Sequence, residues 1–154
     1  RHFKTKESLL AEVSTRGFME LKEILKNANG EKTLSTRDRF LEMGQAYIEF
    51  GLSKRNTYDL MHSTVIDKTQ FPELLNSAVG TFEELVCVLA ELNPDISAKD
   101  LDIKCIHHWA LVHGLVGLLR NETLDASEID TKAGNAMGLV RSDLRSFLIS
   151  AFEF

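Results

Sequence analysis

Apolar positions recur along this chain at helical spacing, with little of the two-residue alternation that marks strands. Leu9, Leu10, Val13, Phe18, Leu21, Ile24 and Leu25 line one side of a first helix. Thr5 is placed to cap it, Glu7 falls in its favourable first turn, and Asn29-Gly30 is a turn signal that ends it. Ser35 with Asp38 opens a second helix, whose apolar face runs through Phe40, Met43, Tyr47, Phe50 and Gly51. A shorter third helix covers about Asn56 to Val65. Pro72 suits the first turn of a fourth, which Asn93-Pro94 breaks after about Leu92. Ser97 with Asp100 caps a fifth that reaches about Asn121, roughly 35 Å at 1.5 Å per residue. A polar linker, NETLDASEID, then leads to a sixth from about Thr131 to Phe152. With no internal repeat and no composition break, the expectation is one all-α bundle of about six helices.

The last two long helices are more apolar than a single core requires. The stretch CIHHWALVHGLVGLL carries Cys105, Trp109, Val112, His113 and Val116 on one face, and Leu111, Leu115 and Leu118 on another. The final helix spreads Ala133, Ala136, Met137, Val140, Leu144, Phe147, Leu148, Ala151 and Phe152 over more than one face, with Gly134 and Gly138 spaced for close helix approach. An amphipathic helix buries a stripe of about 100° or slightly more. The excess predicts that both helices join a four-helix bundle across the two-fold axis of a homodimer. The expected interface residues are Leu111, Leu115, Leu118, Met137, Val140, Leu144, Phe147 and Leu148.

Composition narrows the function classes. At 154 residues, 44% hydrophobic and 27% charged, the chain can bury a core of its own and is not a disordered segment. No apolar run reaches the roughly 18 to 20 residues that span a bilayer. The net charge of −5 argues against nucleic-acid binding through the overall field, although the first ten residues are locally basic. Cys87 and Cys105, both inside apolar runs and without CxxC spacing, read as buried free thiols in a reducing cytoplasm.

Chemistry-bearing motifs are scarce. His107 and His108 point about 100° apart on a helix, and His108 and His113 also diverge, so no metal pair is expected. Asp59, His62 and Ser63 lie close in sequence but without a nucleophile elbow or oxyanion loop, so no catalytic residues are assigned. Phosphate-cradling and dinucleotide glycine motifs are absent too, and no cofactor is expected.

Three stretches carry a family resemblance. In RHFKTKESLL, the residues His2, Phe3, Lys6, Glu7, Leu9 and Leu10 resemble the join between the DNA-reading head and the long fourth helix of TetR-family regulators. GQAYIEFGLSKRNTYDLMHS resembles the family segment in which one helix passes into a shorter one ending in Leu-Met. WALVHGL resembles the Trp-x-x-x-His-Gly pattern of one class of these C-terminal domains. Gly51 departs from the pattern where Ala is usual, and Asn56 where Pro is usual.

The resemblance implies the back end of a ligand-responsive bacterial transcriptional regulator, expected to be a repressor. Residues 1–5 would be the tail of the DNA-binding head and 6–154 the ligand-binding and dimerisation domain. His2 and Lys6 would touch operator phosphates at a helix N-terminus that favours anions. Phe40, Met43, Tyr47, Phe50, Met61, Phe82, Val86, Trp109 and His113 would wall a pocket for a mostly apolar small molecule. The implied partners are a second copy, an effector, and operator DNA reached through the head, with no membrane. The alternative from another class is a helical small-molecule-binding or hydrolytic domain unrelated to transcription.

Overall fold

The computed structural model describes residues 5–121 and 132–152. Among these are seven α-helices: α1 (Lys6–Gly30), α2 (Thr36–Ser53), α3 (Arg55–His62), α4 (Pro72–Leu92), α5 (Ala98–Leu119), α6 (Lys132–Ser142) and α7 (Leu144–Ala151). A 3-10 turn over Lys68–Gln70 joins α3 to α4. His2 and most of the polar linker lie outside the described residues.

Helix starts follow the caps in the sequence. Thr5 accepts from the Ser8 backbone N–H while Ser8 accepts from that of Thr5, so two end donors of α1 are satisfied reciprocally. Ser35 and Ser97 accept from the N–H groups of Asp38 and Asp100. Pro72 occupies the first turn of α4, where its missing N–H costs nothing.

Three boundaries differ from expectation, each for a local reason. Helix α1 continues through Asn29 and Gly30 because the buried Arg39 caps its end, donating to the Asn29 carbonyl (3.1 Å) and side-chain oxygen (2.6 Å). Helix α3 stops at His62, short of Val65. There Ser63 Oγ accepts from the Val65 N–H and Asp67 accepts from Thr69, bonds that compete with the helical ladder. The expected sixth helix is two helices, split at Asp143, whose carboxylate caps α7 by accepting from Ser146 N at 2.9 Å. Arg145 then ties α7 to α2 through Asp38 (2.8 Å) and Glu42 (2.6 Å).

Helix α1 packs against α4, α2 and α3; α2 also meets α5, α4 and α7. The core fills with Leu21, Leu41, Ile48, Met61, Leu74, Val88, Leu89, Val116 and Leu148, all essentially without solvent contact. Cys105 is buried as expected, but Cys87 is exposed, because α4 turns the adjacent Val88 and Leu89 inward. No helix among the described residues is long and apolar enough to cross a membrane.

The residues expected at a subunit seam divide. Leu115, Met137, Val140 and Leu148 are buried within this one chain, Leu148 because the break at Asp143 lets α7 fold onto α2. Leu111, Leu144 and Phe147 are half-buried, and Leu118 is exposed. The surface of α5 and α6 still carries Ile103, Ile106, Leu118 and Leu139, the last 73% exposed. A side chain at Gly114 or Gly117 of α5, or at Gly138 of α6, would meet nothing within 4 Å, so each of these positions opens outward.

Gly51 has a packing reason. A Cβ there would sit 2.7 Å from both methyls of Val116 and 3.2 Å from the Tyr58 ring. Val116 is β-branched and fully buried, so it has no alternative rotamer to retreat to. Gly51→Ala should therefore destabilise the fold by about 1 to 3 kcal/mol in urea unfolding. Combining it with Val116→Ala should recover part of that loss; simple additivity of the two losses would contradict the contact.

Candidate ligand cavity

Between α1, α2, α4 and α5 lies a cavity of about 580 Å³, within the range typical of small-molecule sites. Helix α1 contributes Phe18, Leu21 and Leu25; α2 contributes Phe40, Met43, Gly44 and Tyr47. Helices α4 and α5 supply further apolar wall, and Met61 and His62 at the end of α3 close one end together with Lys68. The other end is stopped by Phe152, whose ring lies tilted with its centroid 4.8 Å from that of Phe40 and sits over Gly44, where a Cβ would meet it at 3.3 Å. Val79 and Ile106 line the cavity and are each about half exposed (49% and 51%), so the space reaches the surface between α4 and α5.

Most of the polar groups on this wall are already committed. Trp109 can only donate, and its Nε1–H donates to Tyr47 Oη at 3.2 Å. Tyr47 and Tyr58 hydroxyls are 3.0 Å apart, and Tyr58 Oη lies 2.5 Å from His113 Nδ1. One direction satisfies every member: Trp109 donates to Tyr47, Tyr47 to Tyr58, and Tyr58 to an unprotonated Nδ1. His113 is thereby assigned its Nε2–H tautomer. Burial raises both tyrosine pKa values, so both hydroxyls keep their protons. Burial, with the Arg120 guanidinium second, lowers that of His113. Thr81 Oγ1 is within reach of the Phe18 (3.0 Å) and Ser77 (2.8 Å) carbonyls, bridging α4 to α1.

The family model described as tetracyclin repressor-like, C-terminal domain, matches residues 40–139, about two-thirds of the chain. The chain belongs to that family. No curated relative matches this TetR-like domain. Among solved structures it is similar to a protein of unknown function from Rhodococcus sp. RHA1. That likeness has 21% identity and a TM-score of 0.68, covering 94% of this chain and 74% of the other. At that identity it speaks for the fold alone.

Six of the nine residues expected around a pocket, Phe40, Met43, Tyr47, Met61, Phe82 and Trp109, do line the cavity of this TetR-like domain. Phe50 is buried elsewhere in the core, Val86 packs beside the core without lining the cavity, and His113 stands behind Tyr58. Sequence reading missed Phe18, Leu21 and Leu25, which share one stripe of α1, and Ala78, Thr81 and Leu85, which share one of α4. Each stripe is visible as helical periodicity along its own helix, but its facing the Phe40–Met43–Tyr47 stripe of α2 is a long-range outcome that periodicity does not encode. In the sequence His62 stands out only beside Asp59 and Ser63, as a hydrolytic grouping. In place, Asp59 pairs with Arg120 at 2.5 Å and Ser63 Oγ serves the Val65 backbone, so the three do not converge.

Burial lowers His62 to about 4, helped by the positive potentials of His113 and Lys68. His108, held edge-on between Phe40 and Phe152, is also lowered to about 4 by burial, with Lys104 and His107 adding to it. The unfolded chain therefore takes up protons near 6.5 that the folded chain refuses until about 4. Stability is fully present above 6.5 and is lost as pH falls through that window. The urea midpoint should decline from pH 6.5 toward 4.5, and His108→Phe, which keeps the edge packing, should make that decline shallower. A midpoint that stays level across this range would contradict the buried neutral state.

Proposed function

We propose that this TetR-like domain senses a small, mostly apolar effector in the cavity and transmits its presence to a DNA-reading head joined through the start of α1. The carrying observation is that the cavity wall and the bearing surface of α1 share the same residues. Met61 lines the cavity, and a Cβ at Gly17 of α1 would sit 2.5 Å from its sulfur and 2.7 Å from the Thr57 methyl. An effector that displaces Met61 must move the α1–α3 contact. The shift can be no larger than the effector's differential affinity for the two packings.

A homodimer supplies the second half of the mechanism. The outward surface of α5 and α6, with Leu118, Leu139 and the three glycine positions, suits an isologous contact. Two heads on such a dimer would have to match half-sites about 34 to 36 Å apart, or a multiple. Lys6, exposed in the first turn of α1, would hold an operator phosphate, and the family pattern gives His2 the same part; such contacts position a protein without reading bases. The reading fits a cytoplasmic regulator, most simply a repressor.

Trp109 is the only tryptophan, and it both lines the cavity and donates into the tyrosine pair. An apolar compound that occupies the cavity should shift its emission, and Trp109→Ala should weaken that compound while the chain stays dimeric by light scattering at micromolar concentration. An unchanged emission on saturation with a compound shown to bind would place that compound elsewhere. A species of 17.3 kDa at those concentrations would remove the dimer from the proposal.

A further inference from the structure

The polar atoms left over on the cavity wall identify the headgroup of the effector. Once Trp109, Tyr47 and Thr81 are committed, His62 and Lys68 remain at the α3 end and His108 at the other. His62 Nε2 is buried with no hydrogen-bond partner, although its ring is surrounded: Phe18 at 6.0 Å, Tyr58 at 4.5 Å, His113 at 4.6 Å and Trp109 at 6.4 Å. A buried nitrogen that meets nothing is uncommon in folded proteins and invites an explanation. Beside it, Lys68 lines the same end of the cavity, and its ammonium makes one long contact, 3.4 Å, to the Ser63 carbonyl.

The charge balance is one-sided. Among the described residues no Asp or Glu lines the cavity, and the carboxylate near His62, that of Asp59, is held by Arg120. Away from this end the wall is mainly Phe, Leu, Met, Val and Ile, with the committed Tyr47, Thr81 and Trp109 and, at the far end, His108. Tyr47 and Phe40 on α2 are seven residues apart, as are Phe18 and Leu25 on α1, so the apolar part runs about 10 Å. A cation would meet only Lys68. A neutral alcohol would satisfy His62 and leave the ammonium facing low-dielectric wall. One carboxylate answers both, accepting from the imidazole N–H and from the ammonium in charge-assisted hydrogen bonds.

We propose that the effector is a medium-length apolar monocarboxylate, its carboxylate held by Lys68 and His62 and its tail extending between α1, α2 and α4 toward Phe40 and Phe152. This rests on the reading of the cavity as the effector site. It makes Lys68 and His62 the residues that select for charge, while the remaining wall selects for shape.

Decanoate and decanol, each kept below its aggregation limit, separate the two ideas by calorimetry on the 154-residue chain. Decanoate should bind at least about tenfold more tightly than decanol, the difference a charge-assisted contact supplies. Lys68→Met should reduce that ratio about tenfold, and Lys68→Arg, which keeps the charge and checks that the turn still folds, should preserve it. Lys104→Met, beside His108 at the opposite end, should leave it alone. Equal binding of both compounds, or a ratio indifferent to Lys68→Met, overturns the carboxylate assignment and leaves the cavity standing. A ratio that collapses in Lys104→Met instead puts the headgroup at the His108 end and overturns it as well. No binding of either compound removes the assignment together with the effector reading beneath it.

Discussion

Trp109, Tyr47, Tyr58 and His113 share one directed relay of hydrogen bonds inside an otherwise apolar interior, and the spacing of three helices depends on keeping it unbroken. In a medium of low polarity each link polarises the next, and a broken link leaves a buried group unpaired at a cost of about 1 to 3 kcal/mol. The relay pins α2, α3 and α5 to one another at the same level. Arg120 secures the outer side of this joint, donating to the Gly51 carbonyl and to Asp59 and lying 5.0 Å over the Tyr58 ring. With three helices held by polar geometry, the space among Phe18, Met43, Phe82 and Trp109 is not free to collapse. The cavity follows from the relay.

The same joint reaches α1. Tyr58, one turn before Met61 and His62 on an eight-residue helix, faces the relay, while Met61 and His62 line the cavity and Met61 also abuts α1 at Gly17. A helix this short is held by its packing rather than by its own hydrogen bonds. Under the proposed sensing role, a change in what fills the cavity would be passed on by displacement of α3 as a unit, against a Gly17 surface that has no slack.

Much of the fold was legible in the sequence because its signals are local. Caps at Thr5, Ser35 and Ser97 and the proline at residue 72 act over three or four residues, and the helices begin where those residues say. What escaped was decided at a distance. Arg39 reaches ten residues back to extend α1, and pairs with Glu91 on α4 as well. Arg145 reaches α2 and draws α7 inward, taking Leu148 out of any subunit seam and making Phe152 the stopper of the cavity. The pocket was legible where large side chains recur on one face, as with Phe40, Met43 and Tyr47. It was not legible for Lys68, which reaches the wall from a 3-10 turn with no periodic signature. Nor was it for His113, whose partner lies 55 residues away.

The four methionines offer a direct measurement. Met43 and Met61 line the cavity, Met19 is exposed on α1, and Met137 is buried in α6. With methyl-labelled methionine, carbon–proton correlation spectra of the chain can be followed as a neutral apolar probe, 1-N-phenylnaphthylamine, is added. The account predicts that the Met43 and Met61 methyls shift together and saturably while Met19 and Met137 hold their positions. Shifts confined to Met19 or Met137, with Met43 and Met61 unmoved by bound probe, would contradict it.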